Sequence, residues 1–251
     1  MKNLLGFCAV FLVCLGLWRA ATAIEGKQAL EQEEKRLANL DVAALDFLYL
    51  VNKTDEIGGD LQLNWKEVTA ITAAKLENRL RPLDFSIFEK VAADFLGAHK
   101  PRKFEAVAKL HLKKEEVQLA FSYLEALDCT GYVSDRLYPG APEQLYIEGL
   151  LELAKENYYE TGILPSILIA QTILENGWEP VAAPEAIAAF LPSPPSLEPL
   201  GSTYRQQAKN LEDAGYIQMM DESGAPVYAK RLGELIRQYN LQLIDYEILY
   251  P

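Results

Sequence analysis

Pro165-Ser-Ile-Leu-Ile-Ala-Gln-Thr-Ile-Leu-Glu175-Asn-Gly-Trp178 is the stretch on which the fold of this chain turns. Ile167, Leu168, Ile169, Ala170, Ile173 and Leu174 make it a strongly apolar segment with helical punctuation at both ends. Pro165 suits a first helical turn, where its missing N–H costs nothing, and Gly177 suits the exit. Glu175 then falls in the last turn, against the negative end of the helix dipole and beside Trp178. Dipole and desolvation both disfavour the charged form, so a raised pKa is expected for Glu175.

Helical periodicity spreads outward from this segment in both directions. Val42, Leu45, Leu48 and Val51 predict a helix that stops before Gly58-Gly59. Further helices are predicted from Trp65 to Leu80 with Pro82 as the stop, from Phe85 to Leu96, from Val107 to Leu112 and from Val117 to Leu127. Glu143 to Asn157 leads into the apolar segment. No run alternates apolar and polar residues long enough to suggest a sheet, so the expected class is all-α. The boundary falls at Leu137-Tyr-Pro-Gly-Ala-Pro142, which gives residues 24–140 as an N-terminal helical bundle packed on a second helical domain at 141–251. A faint echo links Leu76-Glu77-Asn78 to Leu174-Glu175-Asn176, open to duplication or to chance.

Residues 1–23 read as a secretory signal peptide, with Lys2, an apolar stretch from Leu4 to Leu17, and Ala21-Thr22-Ala23. The expectation is a secreted or cell-envelope protein, free of the membrane once that segment is removed. Loss of Lys2 and Arg19 leaves 22 basic against 36 acidic side chains, a net charge of −14. Such a chain has no electrostatic reason to bind nucleic acid or an anionic membrane. It keeps only Cys129, so no internal disulfide is available, and the thiol is expected to pack as a small buried hydrophobe. His99 and His111 are the only histidines, and no metal site or cofactor is expected.

Two motifs carry a family resemblance. Gly162-Ile-Leu-Pro-Ser166, Ala170-Gln171 and Leu174-Glu175-Asn-Gly-Trp178 resemble the signature G-I-x-P-S-x-x-x-A-Q-x-x-x-E-S-G-W-G of glucosaminidase-type peptidoglycan hydrolases, glycoside hydrolase family 73. Downstream, Leu211-Glu-Asp-Ala-Gly215-Tyr216, Tyr228-Ala-Lys-Arg-Leu and Tyr239-Asn-Leu241 with Asp245 resemble the closing segment of that family. Together the motifs cover roughly the last 110 residues. Asn176 and Glu179 replace the usual Ser and Gly, and a Pro- and Ala-rich stretch from Pro180 to Gly201 stands where the family has a β-hairpin lobe with a second acid.

The resemblance implies a lysozyme-like second domain and a glycosidase acting on the glycan strands of peptidoglycan. It implies Glu175 as general acid and Trp178, Tyr216 and Gln171 as substrate contacts, since a protonated carboxyl near neutral pH is what a glycosidic oxygen needs. Hydrolysis usually pairs two carboxyl groups, and Glu179, Glu185, Asp221 and Glu222 are the acids nearby in sequence. Without the lobe three routes stay open: attack by the substrate's own N-acetyl group, a single-acid lytic transglycosylase, or a groove that binds glycan or assembles a partner without turnover. The N-terminal bundle is open to a protein partner.

Overall fold

The computed structural model describes residues 46–77, 83–178, 201–215 and 219–251. All the regular structure in these is helical. The helices are α1 Phe47–Gly58, α2 Trp65–Glu77, α3 Phe85–Phe95, α4 Phe104–His111, α5 Lys114–Thr130, α6 Pro142–Thr161, α7 Pro165–Asn176, α8 Tyr204–Asp213, α9 Tyr228–Gln238 and α10 Gln242–Leu249. Among the described residues the only β pairing is an isolated antiparallel bridge between Met220 and Pro226. The all-α class read from the sequence is the class observed.

Local chemistry sets the helix ends. Asp46 and Asp84 cap α1 and α3 by accepting the N–H groups of Tyr49 (3.0 Å) and Ser86 (2.9 Å). Pro142 and Pro165 open α6 and α7, and α6 closes on Gly162 at φ 77°, a left-handed cap that glycine adopts without Cβ strain. Boundaries differ from those expected mainly at helix starts: α4 begins at Phe104 and α5 at Lys114 rather than at their first valines. Polar first turns carry no apolar period, so periodicity finds them late. The start of the expected first helix, residues 78–82 and Tyr216 lie outside the described residues.

Two helices act as hubs. In α2, Val68 through Ala74 are buried without a break; in α7, Pro165 through Ile173 are. A helix apolar all round has no solvent face and must be encircled. Helices α1, α3, α4 and α5 pack on α2, and α6, α8, α9 and α10 pack on α7. Threonines enter these helices by returning their hydroxyls to the backbone four residues earlier: Thr69 to Trp65 O, Thr72 to Val68 O and Thr172 to Leu168 O, each at 2.8 Å.

The two rings are tied by polar side chains inside one compact unit, Asp46–Pro251. Trp65 Nε1 donates to Asn240 Oδ1 (2.7 Å), and the buried carboxylate of Asp55 accepts from the Tyr204 hydroxyl. Arg205 donates to Gly59 O (2.6 Å) and Gln206 to Asp60 Oδ1 (2.6 Å). Burial pushes Asp55 up from the usual carboxylate range, against the opposing pull of the nearby Arg205.

One expectation is corrected. Cys129 is exposed, not buried. It lies in the last turn of α5, where Ala126 and Leu127 take the inward positions.

Asp245, fully buried on α10, accepts the N–H (2.9 Å) and the hydroxyl of Ser166. Burial raises its pKa to about 7 despite those bonds. The folded state therefore holds this proton more tightly than the unfolded chain does. The stabilisation is fully present below the unfolded value and is lost as pH rises through about 7. Thermal unfolding followed by circular dichroism should show lower stability at pH 8 than at pH 5. In Asp245→Asn that difference should shrink by an amount on the order of a few kcal/mol.

Candidate functional site

The N-terminus of α7 is fixed by side chains from two other helices. Leu164, its N-cap residue, offers no side-chain cap, so the free donors at this end need partners from elsewhere. Asp245 takes the Ser166 N–H, and Gln207 of α8 takes the Leu164 N–H through Oε1 (2.8 Å). The amide nitrogen of Gln207 donates to Gly162 O (2.9 Å) and Gly201 O (3.2 Å), so one buried amide joins three stretches of chain.

From this anchored end the helix runs through the core and surfaces only in its last turn. Leu174 and Asn176 are half-buried, and Glu175 is exposed. Gly177, at φ 65°, closes the helix by donating to Ile173 O (2.8 Å). The Gln171 amide nitrogen donates to Glu175 Oε1 (3.0 Å), one turn apart on the same face, and holds the carboxylate against the helix. Gln171 is itself buried, so its amide is an ordered support.

Trp178 follows the cap and is half-buried between two tyrosines. Its ring meets Tyr146 of α6 at 5.5 Å and Tyr239 at 4.7 Å, both edge to face. Burial pushes the Tyr146 phenol up, and among the described residues its hydroxyl has no hydrogen-bond partner. Glu175 is exposed rather than enclosed beside Trp178 as expected: the tryptophan is engaged with Tyr146 and Tyr239.

The structure thus brings Glu175, Gln171 and Trp178 to one end of α7. Tyr216, Glu179 and Glu185 lie outside the described residues. Asp221 is committed to its own turn, where the Ser223 hydroxyl (2.6 Å) and then the N–H groups of Ala225 (2.9 Å) and Ser223 (2.8 Å) donate to it and hold its carboxyl below the ordinary range; Glu222 is exposed in that turn. Among the described residues, no three His, Cys, Asp or Glu side chains group as metal ligands, and no helix is long and apolar enough to cross a membrane.

Sequence reasoning did not single out Tyr146 or Gln207. Tyr146 stands next to the inward-facing Ile147 in the period of α6, a position that pattern alone marks as flank. Gln207 carries no local signal, since its partners Leu164 and Gly162 are 43 and 45 residues away.

No protein-family model, no curated protein and no solved structure matches the chain.

Replacing Gln207 by Ala strands the buried Leu164 N–H and removes the donor from two carbonyls. The expected cost is about 2 kcal/mol, seen as a lower urea midpoint with an unchanged denaturant slope.

Proposed function

We propose that the protein is an exported hydrolase of peptidoglycan glycan strands, of the N-acetylglucosaminidase type, with Glu175 as its general acid. The observation that supports this reading is the setting of Glu175. A helix buried over nine successive residues, pinned at its start by Asp245 and Gln207, ends in a single acid open to solvent beside a half-buried tryptophan. An acid that must reach a large polymeric substrate has to be accessible, and one that must protonate a particular oxygen has to be held still.

Trp178 offers an apolar surface for the C–H face of a sugar ring, and Gln171 fixes the carboxyl by its 3.0 Å bond. Proton delivery to the glycosidic oxygen then breaks the bond to the anomeric carbon, leaving a cationic sugar. The substrate's own N-acetyl oxygen captures that carbon and water then opens the resulting oxazolinium, giving its proton to the Glu175 carboxylate; in a transglycosylase the C6 hydroxyl captures the carbon and returns its proton to Glu175, so neither route calls on a second protein carboxylate. Those two routes suit a site where Asp221 is bound up in a turn.

The exposure of Glu175 favours a second reading, a cell-envelope module that holds glycan or assembles a partner without turnover. The same surface serves both, and only product separates them.

Purified protein and its Glu175→Gln variant, incubated with peptidoglycan, test the choice by reducing-end release and mass spectrometry. The substitution should lower release by about 100-fold or more. Because Glu175 is exposed, it should change stability by no more than about 0.5 kcal/mol. Equal release by both proteins would remove Glu175 from the chemistry, and glycan binding with no product from either would establish the non-catalytic module.

A further inference from the structure

We infer that a cavity of about 310 Å³ between the two helical rings, next to Tyr239, is a subsite for an uncharged sugar ring of the N-acetylglucosamine kind. The inference rests on the glycan-strand reading for the identity of the ligand, and on the cavity's own chemistry for its class. The volume is at the small end of ligand sites, room for one ring and not for an oligomer.

Lys66 and Asp128 come from the first ring and Gln144, Glu148, Tyr239 and Asn240 from the second, over an apolar floor that includes Ile147 and Leu241. Tyr239 is the link to Trp178: its ring lies 4.7 Å from the tryptophan and it also lines this cavity. Tyr239 is thus the wall that Trp178 and this cavity share.

The hydrogen-bonding groups are ordered and have capacity to spare. Asn240 Oδ1 is held by Trp65 Nε1 (2.7 Å) and Gln242 Nε2 (3.0 Å), which fixes the amide and leaves Nδ2 to donate. Asn240 stands at positive φ (57°) just past α9, where Leu241 N–H donates back to Ile236 O (2.9 Å), so the helix end sets its backbone. Gln144 donates its amide N–H to Glu148 (3.0 Å), leaving its carbonyl oxygen to accept. Tyr239, itself buried, adds its phenol ring to the lining. A fixed donor, a fixed acceptor and a phenol beside an aromatic ring are what a polyhydroxylated ring with an amide substituent uses.

Charge narrows the ligand further. Lys66 is paired with Asp128 at 3.0 Å, which leaves Glu148 as the uncompensated charge on the wall. The cavity therefore disfavours phosphates, nucleotides and the lactyl carboxylate of a muramic acid residue, and accepts a neutral amino sugar. This places N-acetylglucosamine, rather than its acidic neighbour in the strand, at this position.

The test is calorimetric titration of the full chain with N-acetylglucosamine tetramer. Asn240→Asp keeps the acceptor for Trp65 and tolerates positive φ while removing the Nδ2 donor; Gln144→Ala removes the acceptor. Each should weaken binding about tenfold. A muramic-acid-containing disaccharide should bind at least tenfold more weakly than its N-acetylglucosamine counterpart. If a variant unfolds, the Trp65 indole N–H resonance of the unaltered protein gives a second readout, since its acceptor lines the cavity and ligand must shift it. Binding unchanged in both variants, an unmoved indole resonance, or no saccharide binding at all overturns the inference. Loss of cleavage in Glu175→Gln with unchanged binding in the cavity variants defeats the subsite and leaves the hydrolase reading standing. Cavity-dependent binding without any cleavage does the reverse.

Discussion

Asp245 has no access to water, and its carboxyl takes both the backbone N–H and the hydroxyl of Ser166 at the start of α7. That contact replaces the cap that Leu164 does not provide. A buried helix end without partners would cost the full desolvation of its free N–H groups, so a helix as enclosed as α7 depends on a polar anchor brought from elsewhere in the chain. The remaining features of the second ring follow from it. With the start fixed, the length of the helix determines where Glu175 emerges, and Trp178, Tyr146 and Tyr239 pack around that exit.

The carboxyl that anchors α7 from α10 and the carboxyl that faces solvent in the last turn of α7 are environmental opposites. Asp245 is enclosed, and burial raises its pKa to about 7. Glu175 is open, supported on one side by Gln171. The proposed chemistry uses the open one, while the enclosed one keeps the helix that carries it from shifting. A site of this kind is a surface until substrate covers it.

Much of the architecture could be read from apolar spacing. Runs such as Val68, Ile71 and Ala74, or Ile147, Leu150 and Ala154, repeat at helical intervals and carry their own signal. The all-α class and most of the helices were legible for that reason. Less legible was everything that depends on partners distant in sequence: Asp245 appeared only as part of a motif, and nothing near Gln207 announces that it caps a loop and a helix together. Adjacency to Trp178 in sequence does not enclose Glu175, because the turn at Gly177 carries the tryptophan against Tyr146 and Tyr239 while the glutamate stays exposed. Cys129 was misplaced for a similar reason, since apolar neighbours on either side do not fix which of them turns inward at a helix end.

The arrangement of the two hubs bears on how the chain assembles. Helices α1 to α5, which surround α2, are consecutive, and so are α6 to α10, which surround α7. Most packing therefore joins segments that leave the ribosome or a translocation channel close together in time, a low-contact-order topology that avoids long waits for distant partners. Ties such as Trp65 to Asn240 and Asp55 to Tyr204, spanning 175 and 149 residues, reach further. They can close only after the last helices arrive, so the earlier ring must spend an interval with Trp65 and Asp55 awaiting their partners.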